Sequence, residues 1–182
     1  LPSSVEEVTR AAKSHCRVPL MVKLSPNVAC IGDNAAAAED GGADCISLIN
    51  TITGMAVDLK SRRPILANVT GGLSGPCVKP IALRMVYECA QRVKIPIVGL
   101  GGITNAEDVI EFLLCGARAV QLGTVNLTDP LAGKRILEGL TNYLIQNKIN
   151  ENYQIIWMVS DKKKCEKLKC KNVKFVTAEN KY

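Results

Sequence analysis

No stretch of this 182-residue chain stays apolar long enough to span a membrane, since a spanning helix needs about 20 consecutive, predominantly apolar residues. Nor does it open on the basic and then apolar segments of a secretory leader, for Leu1-Pro2-Ser3-Ser4-Val5-Glu6-Glu7 has neither. These absences predict a protein that uses no membrane and shows no secretory signal. An initiator methionine is missing as well, which predicts a beginning inside a longer protein. The Gly-x-Gly-x-x-Gly fingerprint of a doubly wound nucleotide-binding sheet does not follow the first expected strand. Cysteine itself is plentiful, with eight residues, but ligand-like spacing is not. Cys165 and Cys170 form a Cys-x4-Cys pair without the second pair that a zinc site needs, so no metal is expected. Cys16, Cys30, Cys45, Cys77, Cys89 and Cys115 stand singly, several in apolar segments, as reduced cysteines that pack like small hydrophobes do. That usage predicts a reducing, cytoplasmic compartment.

What is present describes a globular core: 47% of residues are apolar and 22% charged. The net charge of +6 is concentrated at one end, where Ser160 to Tyr182 hold eight lysines against three acids. Without interleaved aromatics this reads as a solvated terminus, and no nucleic-acid partner is expected.

The chain alternates helical and strand patterns. Ser4-Val5-Glu6-Glu7 resembles a capping box that starts a helix running to about Cys16. Pro19 to Leu24 reads as a buried strand, residues 33–39 as an Ala-rich helix ended by Gly41-Gly42, and Cys45 to Ile49 as a second strand. Residues 53–75 break the alternation, and connections of that length are usually functional or disordered. Their apolar content favours order. Then follow a helix from Pro80 to Val93, a strand over Ile95 to Leu100 and a helix from Asn105 to Gly116. A strand over Ala119 to Leu122 and a last helix from Asp129-Pro130 to about Tyr143 complete the series. About four βα units imply an α/β fold with a parallel sheet. A TIM (β/α)8 barrel takes about 250 residues, so this chain supplies about half of one, its carboxy-terminal half.

Active sites of such barrels lie where strands end. Gly99-Leu100-Gly101-Gly102 follows the third strand and Gly123-Thr124 the fourth. Glycine lets backbone approach a ligand closely, helix N-termini direct free N–H groups at anions, and the last two strand ends of barrels often form a phosphate site. Phosphate binding is thus the reading preferred over simple tight turns. Lys23, at the end of an apolar strand, reads either as a stem snorkelling to the rim or as a poised cation whose burial calls for a partner. Asn50 and Thr51 suit the amide and carbonyl edges of a planar ring, but also suit turns and caps.

Several motifs occur in order: Val22-Lys23-Leu24-Ser25-Pro26-Asn27, Ser47-Leu48-Ile49-Asn50-Thr51, Gly54-Met55-Ala56-Val57-Asp58 and Arg63-Pro64-Ile65-Leu66-Ala67-Asn68. Thr70-Gly71-Gly72-Leu73-Ser74-Gly75-Pro76, Gly99-Leu100-Gly101-Gly102-Ile103 and Gly123-Thr124 follow. As a set, over about residues 5–145, they resemble the catalytic subunits of the class 1B dihydroorotate dehydrogenase family, FMN enzymes of pyrimidine biosynthesis. The resemblance implies that Lys23, Ile49, Gly75, Gly101, Gly102, Gly123 and Thr124 contact FMN, the last four at its phosphate end. It also implies that Asn50 and Thr51 bind dihydroorotate or orotate. The family's cysteine base would lie before Leu1, so no catalytic residue is assigned here. A homodimer of catalytic subunits is implied, with an electron-transfer subunit that carries FAD and a [2Fe-2S] cluster and delivers electrons to NAD+. By this reading residues 1–147 are a partial FMN-binding barrel and residues 148–182 a divergent Lys-rich tail. Two alternatives stand beside it: a related pyrimidine-reducing flavin barrel like that of dihydropyrimidine dehydrogenase, and an inactive half-barrel that associates with another chain.

Overall fold

The computed structural model describes residues 1–147, 155–159 and 173–177 and divides into two compact units, Leu1–Leu140 and Thr141–Tyr182. Helix α1 (Pro2–His15) leads into strand β1 (Met21–Lys23), helix α2 (Ile31–Asp40) and strand β2 (Cys45–Leu48). Four short strands follow, β3 (Ile52–Gly54), β4 (Val57–Asp58), β5 (Arg63–Pro64) and β6 (Gly71–Leu73), and then helix α3 (Lys79–Ala90). The first unit continues through β7 (Ile97–Gly99), α4 (Ala106–Leu114), β8 (Ala119–Val120), α5 (Val125–Thr128) and the start of α6 (Ala132–Gln146). The second unit holds the end of α6 and the strands β9 (Ile155–Val159) and β10 (Val173–Thr177), which pair in parallel.

The predicted parallel sheet is present, with the order β1-β2-β7-β8 and every pairing parallel. Its middle strands are the most apolar. In β2 the residues Ile46, Ser47 and Leu48 are buried, and all of β7 is buried, as expected of strands covered on both faces. The outer strands are less covered, and Met21 on β1 is 44% exposed. Against the sheet pack Ala35 and Ala38 of α2, Ala82, Val86 and Cys89 of α3, and Phe112 of α4, each 0% exposed. Burying a ring such as Phe112 stabilises by roughly 1.5–3 kcal/mol. Gly99 makes room for it, since a Cβ there would lie 2.4 Å from Phe112 Cδ1.

Several boundaries differ from the sequence expectation. Helix α1 starts at Pro2 without a side-chain cap, so Ser4 to Glu7 lie inside the helix rather than forming a capping box. Proline favours a helix's first turn, and the Leu1 carbonyl accepts from Ser4 N and Val5 N. The expected strand to Leu122 stops at Val120, although Gln121 N still donates to Gly99 O. The last helix starts at Ala132, after the single turn of α5. Asp129 lies between them, its carbonyl accepting from Ala132 N and its carboxylate from Leu131 N. Lys23 is exposed at the end of β1, which favours the rim alternative over the buried one. Cys89 is buried as expected, but Cys77 is exposed. Cys165, Cys170 and most of the Lys-rich tail lie outside the described residues.

The connection over residues 53–75 is ordered as two small antiparallel ladders, with Thr53 opposite Gly72 and Val57 opposite Pro64. It begins at the end of β2 and returns through β6 to the start of α3. Among the described residues no helix is long and apolar enough to cross a membrane.

Candidate functional site

A cavity of about 300 Å³ lies at the carboxyl ends of the four parallel strands, at the lower end of the range typical of small-molecule sites. Each strand end gives it one wall. Lys23 ends β1, Ile49, Asn50 and Thr51 follow β2, Leu100 to Thr104 follow β7, and Gln121 with Gly123 to Val125 follow β8. A fifth wall runs from Leu73 of β6 through Ser74 and Gly75 to Pro76 and Val78. All nine residues singled out in the sequence line this space.

The glycines serve different ends. Gly101 and Gly102 have φ of +132° and +77°, conformations that disfavour any other residue. A Cβ on Gly102 would also lie 2.8 Å from Gly75 O. At Gly75, φ is +95° and an added Cβ meets no atom within 4 Å; the same openness holds at Gly123. Both therefore face room that a ligand can use. The backbone N–H groups of Gly101, Gly102, Gly123 and Thr124 form no hydrogen bond among the described residues, which leaves them as donors for an anion. Helix termini contribute less than expected. The start of α4 is closed by its own capping box, Asn105 with Asp108, and α5 is one turn long.

Polar contacts hold the walls in place. Thr124 Oγ1 donates to Ser74 Oγ at 2.9 Å and joins the β8 end to the β6 wall. Asn27 Nδ2 donates to Thr51 O at 3.0 Å, while its Oδ1 accepts from Thr53 N at 2.9 Å. One side-chain amide thus grips the backbone on both sides of Ile52. Asn50 Oδ1 accepts from Thr51 N at 2.8 Å, which leaves its amide nitrogen as a donor. The buried Ser47 hydroxyl donates to Gln121 Oε1 at 3.0 Å. Beneath the β7 end, Asp108 Oδ2 accepts from Thr104 N and Thr104 Oγ1 at 2.7 and 2.8 Å. Burial pushes the Asp108 carboxyl up, but Lys79 and Thr104 together hold it below its ordinary value. The Asp108 and Glu111 carboxylates hold the Lys79 ammonium above its own.

This donor set fits a phosphorylated, ring-bearing cofactor. Unpartnered N–H groups gather at two glycine turns, and Lys23 forms no ion pair among the described residues. Buried Ile49 offers an apolar wall. Ser74, Thr104, Gln121 and Thr128 also line the cavity but were not singled out in the sequence. Ser74 and Thr104 sit inside or just after quoted motifs, so a wider window would have included them. Gln121 is signalled only by a polar residue at the end of an apolar strand. No cysteine among the described residues lines the cavity, and no group of three or more His, Cys, Asp or Glu residues among them could hold a metal ion.

The family model described as dihydroorotate dehydrogenase matches residues 2–144. The chain is 55% identical over 155 residues to the dihydroorotate dehydrogenase B (NAD(+)) catalytic subunit of Alkaliphilus oremlandii, a match covering 85% of this chain and 51% of that protein. The subunit of the same name from Geotalea uraniireducens is 54% identical over the same shares. The chain therefore spans about half the length of the curated relatives it matches. Among solved structures, DHODH from Eimeria tenella in complex with ferulenol superposes with a TM-score of 0.67 at 23% identity. That match covers 82% of this chain and 46% of the other, and carries the fold alone.

Proposed function

Because the chain belongs to the dihydroorotate dehydrogenase family, we propose that residues 1–147 are the carboxy-terminal half of an FMN-binding (β/α)8 barrel, followed by a divergent tail over 148–182. The reaction in which this half takes part is the oxidation of dihydroorotate to orotate in de novo pyrimidine biosynthesis, in the cytoplasm. The observation that carries this reading is that residues from four strand ends, Lys23 to Thr124, meet in one cavity.

FMN, when bound, supplies the acceptor for the hydride that dihydroorotate loses. Lys23 would place positive charge beside the flavin ring, Ile49 would pack on it, and Gly75 would leave it space. Gly101, Gly102, Gly123 and Thr124 would hold the phosphate through their backbone N–H groups. Asn50 and Thr51 would orient the substrate through the side-chain amide and hydroxyl, with Asn27 fixing the backbone between them and Thr53. By the family resemblance the proton acceptor would be a cysteine of the amino-terminal half; among the described residues, none of the cysteines lines the cavity. A partner subunit with FAD and a [2Fe-2S] cluster would pass electrons to NAD+, and the catalytic subunits would pair as a homodimer.

Titrating FMN into the 182-residue chain while following flavin fluorescence tests the reading. Saturable quenching is expected, with a further spectral change on adding orotate and none on adding uracil. A response to uracil instead would assign the related pyrimidine-reducing chemistry. Absence of saturable FMN binding overturns the proposal. Dihydroorotate alone should leave the bound flavin oxidised.

A further inference from the structure

Lys79 lies outside the cavity, yet it meets the Gly101–Thr104 wall by two separate routes. The first is electrostatic. Its ammonium is 2.6 Å from Asp108 Oδ1 and 2.8 Å from Glu111 Oε2. The other Asp108 oxygen accepts from Thr104 N, Thr104 Oγ1 and, at 3.2 Å, Asn105 N. One carboxylate with a side chain only 6% exposed thus couples the lysine to the end of the wall. The second route is steric. A Cβ at Gly102 would lie 2.9 Å from both Lys79 Cβ and Lys79 N, so the loop rests on the lysine itself.

A buried carboxylate without its cation is strongly unfavourable, and here a second carboxylate, Glu111, stands beside it. Removing the lysine charge would leave Asp108 and Glu111 facing one another. Asp108 would then either take up a proton or shift toward water, and both loosen its hold on Thr104. The N–H groups of Gly101 and Gly102 are useful to an anion only while that loop is fixed, since donors that must be ordered on binding contribute less affinity.

We infer that Lys79 is a positioning residue for the phosphate-binding wall, acting through Asp108 and Thr104 on the Gly101-Gly102 turn. This inference rests on the FMN reading above. An ordinary tie between α3 and α4 makes a different prediction, because it would affect every ligand of the cavity alike.

The experiment compares FMN with riboflavin, which has the same ring but no phosphate, on the full chain. Lys79→Met is expected to weaken FMN binding about tenfold, the scale of one lost charge-assisted hydrogen bond. Riboflavin binding should stay within about twofold of the parent value. Lys79→Arg, which keeps a cation between the two carboxylates, should restore most of the FMN affinity. Should Lys79→Met fail to fold, Asp108→Asn, a change outside the cavity lining, removes the charge that joins the lysine to Thr104 and should show the same selective loss. Equal losses of FMN and riboflavin, or unchanged FMN affinity in a folded variant, overturn the inference. A parent chain that binds neither flavin overturns the cofactor reading instead.

Discussion

Gly99 and Gly123 are one residue type with two opposite tasks. Gly99 sits in β7 against the Phe112 ring, with 2.4 Å between its missing Cβ and Cδ1. Gly123 ends the β8 wall and has nothing within 4 Å of that position. Gly99→Ala should therefore destabilise the fold by roughly 1–3 kcal/mol, the usual range for forcing a methyl into a filled core. Gly123→Ala should unfold at the parent urea midpoint but bind FMN more weakly, because its methyl group occupies cavity space. Urea unfolding and flavin titration on both variants check the pair of outcomes. The sequence presents Gly99-Leu100-Gly101-Gly102 as one glycine-rich run. The family resemblance picks out Gly101 and Gly102, but the physical reason that Gly99 differs, the packing of Phe112 of α4 against it, is carried by no local pattern.

The link between α3 and α4 at Lys79 and Asp108 has a pH signature. Asp108 is held below its ordinary value by Lys79 and Thr104 against the opposing effect of burial. Because its folded-state value is lowered, the stabilisation is complete above the unfolded carboxyl value of about 3.9 and is lost as pH falls through the folded one. Asp108→Asn should accordingly be less stable than the parent near neutrality, with the difference narrowing from about pH 5 downward. Denaturant midpoints of both proteins across that range check it, and a difference independent of pH would contradict it. The start of α4 was legible at Asn105, a favoured N-cap residue, and the structure closes it with Asp108 as a capping box. The same spacing at Ser4 and Glu7 misled, since Pro2 lets α1 begin earlier. β3 to β6 were not legible as strands. Each is only two or three residues long, and their pairing joins residues up to about twenty apart, beyond any local periodicity.

At the scale of the molecule, strand direction followed from the repeated βα pattern, and the rule that strand ends form the mouth pointed to Lys23, Asn50, Thr51 and the two glycine turns, while Ile49 and Gly75 were named only through the family resemblance. What the pattern did not convey was how open the outer strands are: Met21 is exposed on β1, and β1 and β8 each have one unpaired edge among the described residues. The cavity walls come from strand ends separated by about a hundred residues, and no single βα unit contains more than a fraction of them. Local opening of any one unit therefore abolishes the whole binding surface, and a bound molecule opposes the opening of all four. Ligand occupancy and folding cooperativity are in this way one quantity. FMN at about 100 times its dissociation constant should raise the free energy of unfolding by about 2.7 kcal/mol. In hydrogen exchange, the slowing should extend to amides of α2 and α3 that a flavin never touches.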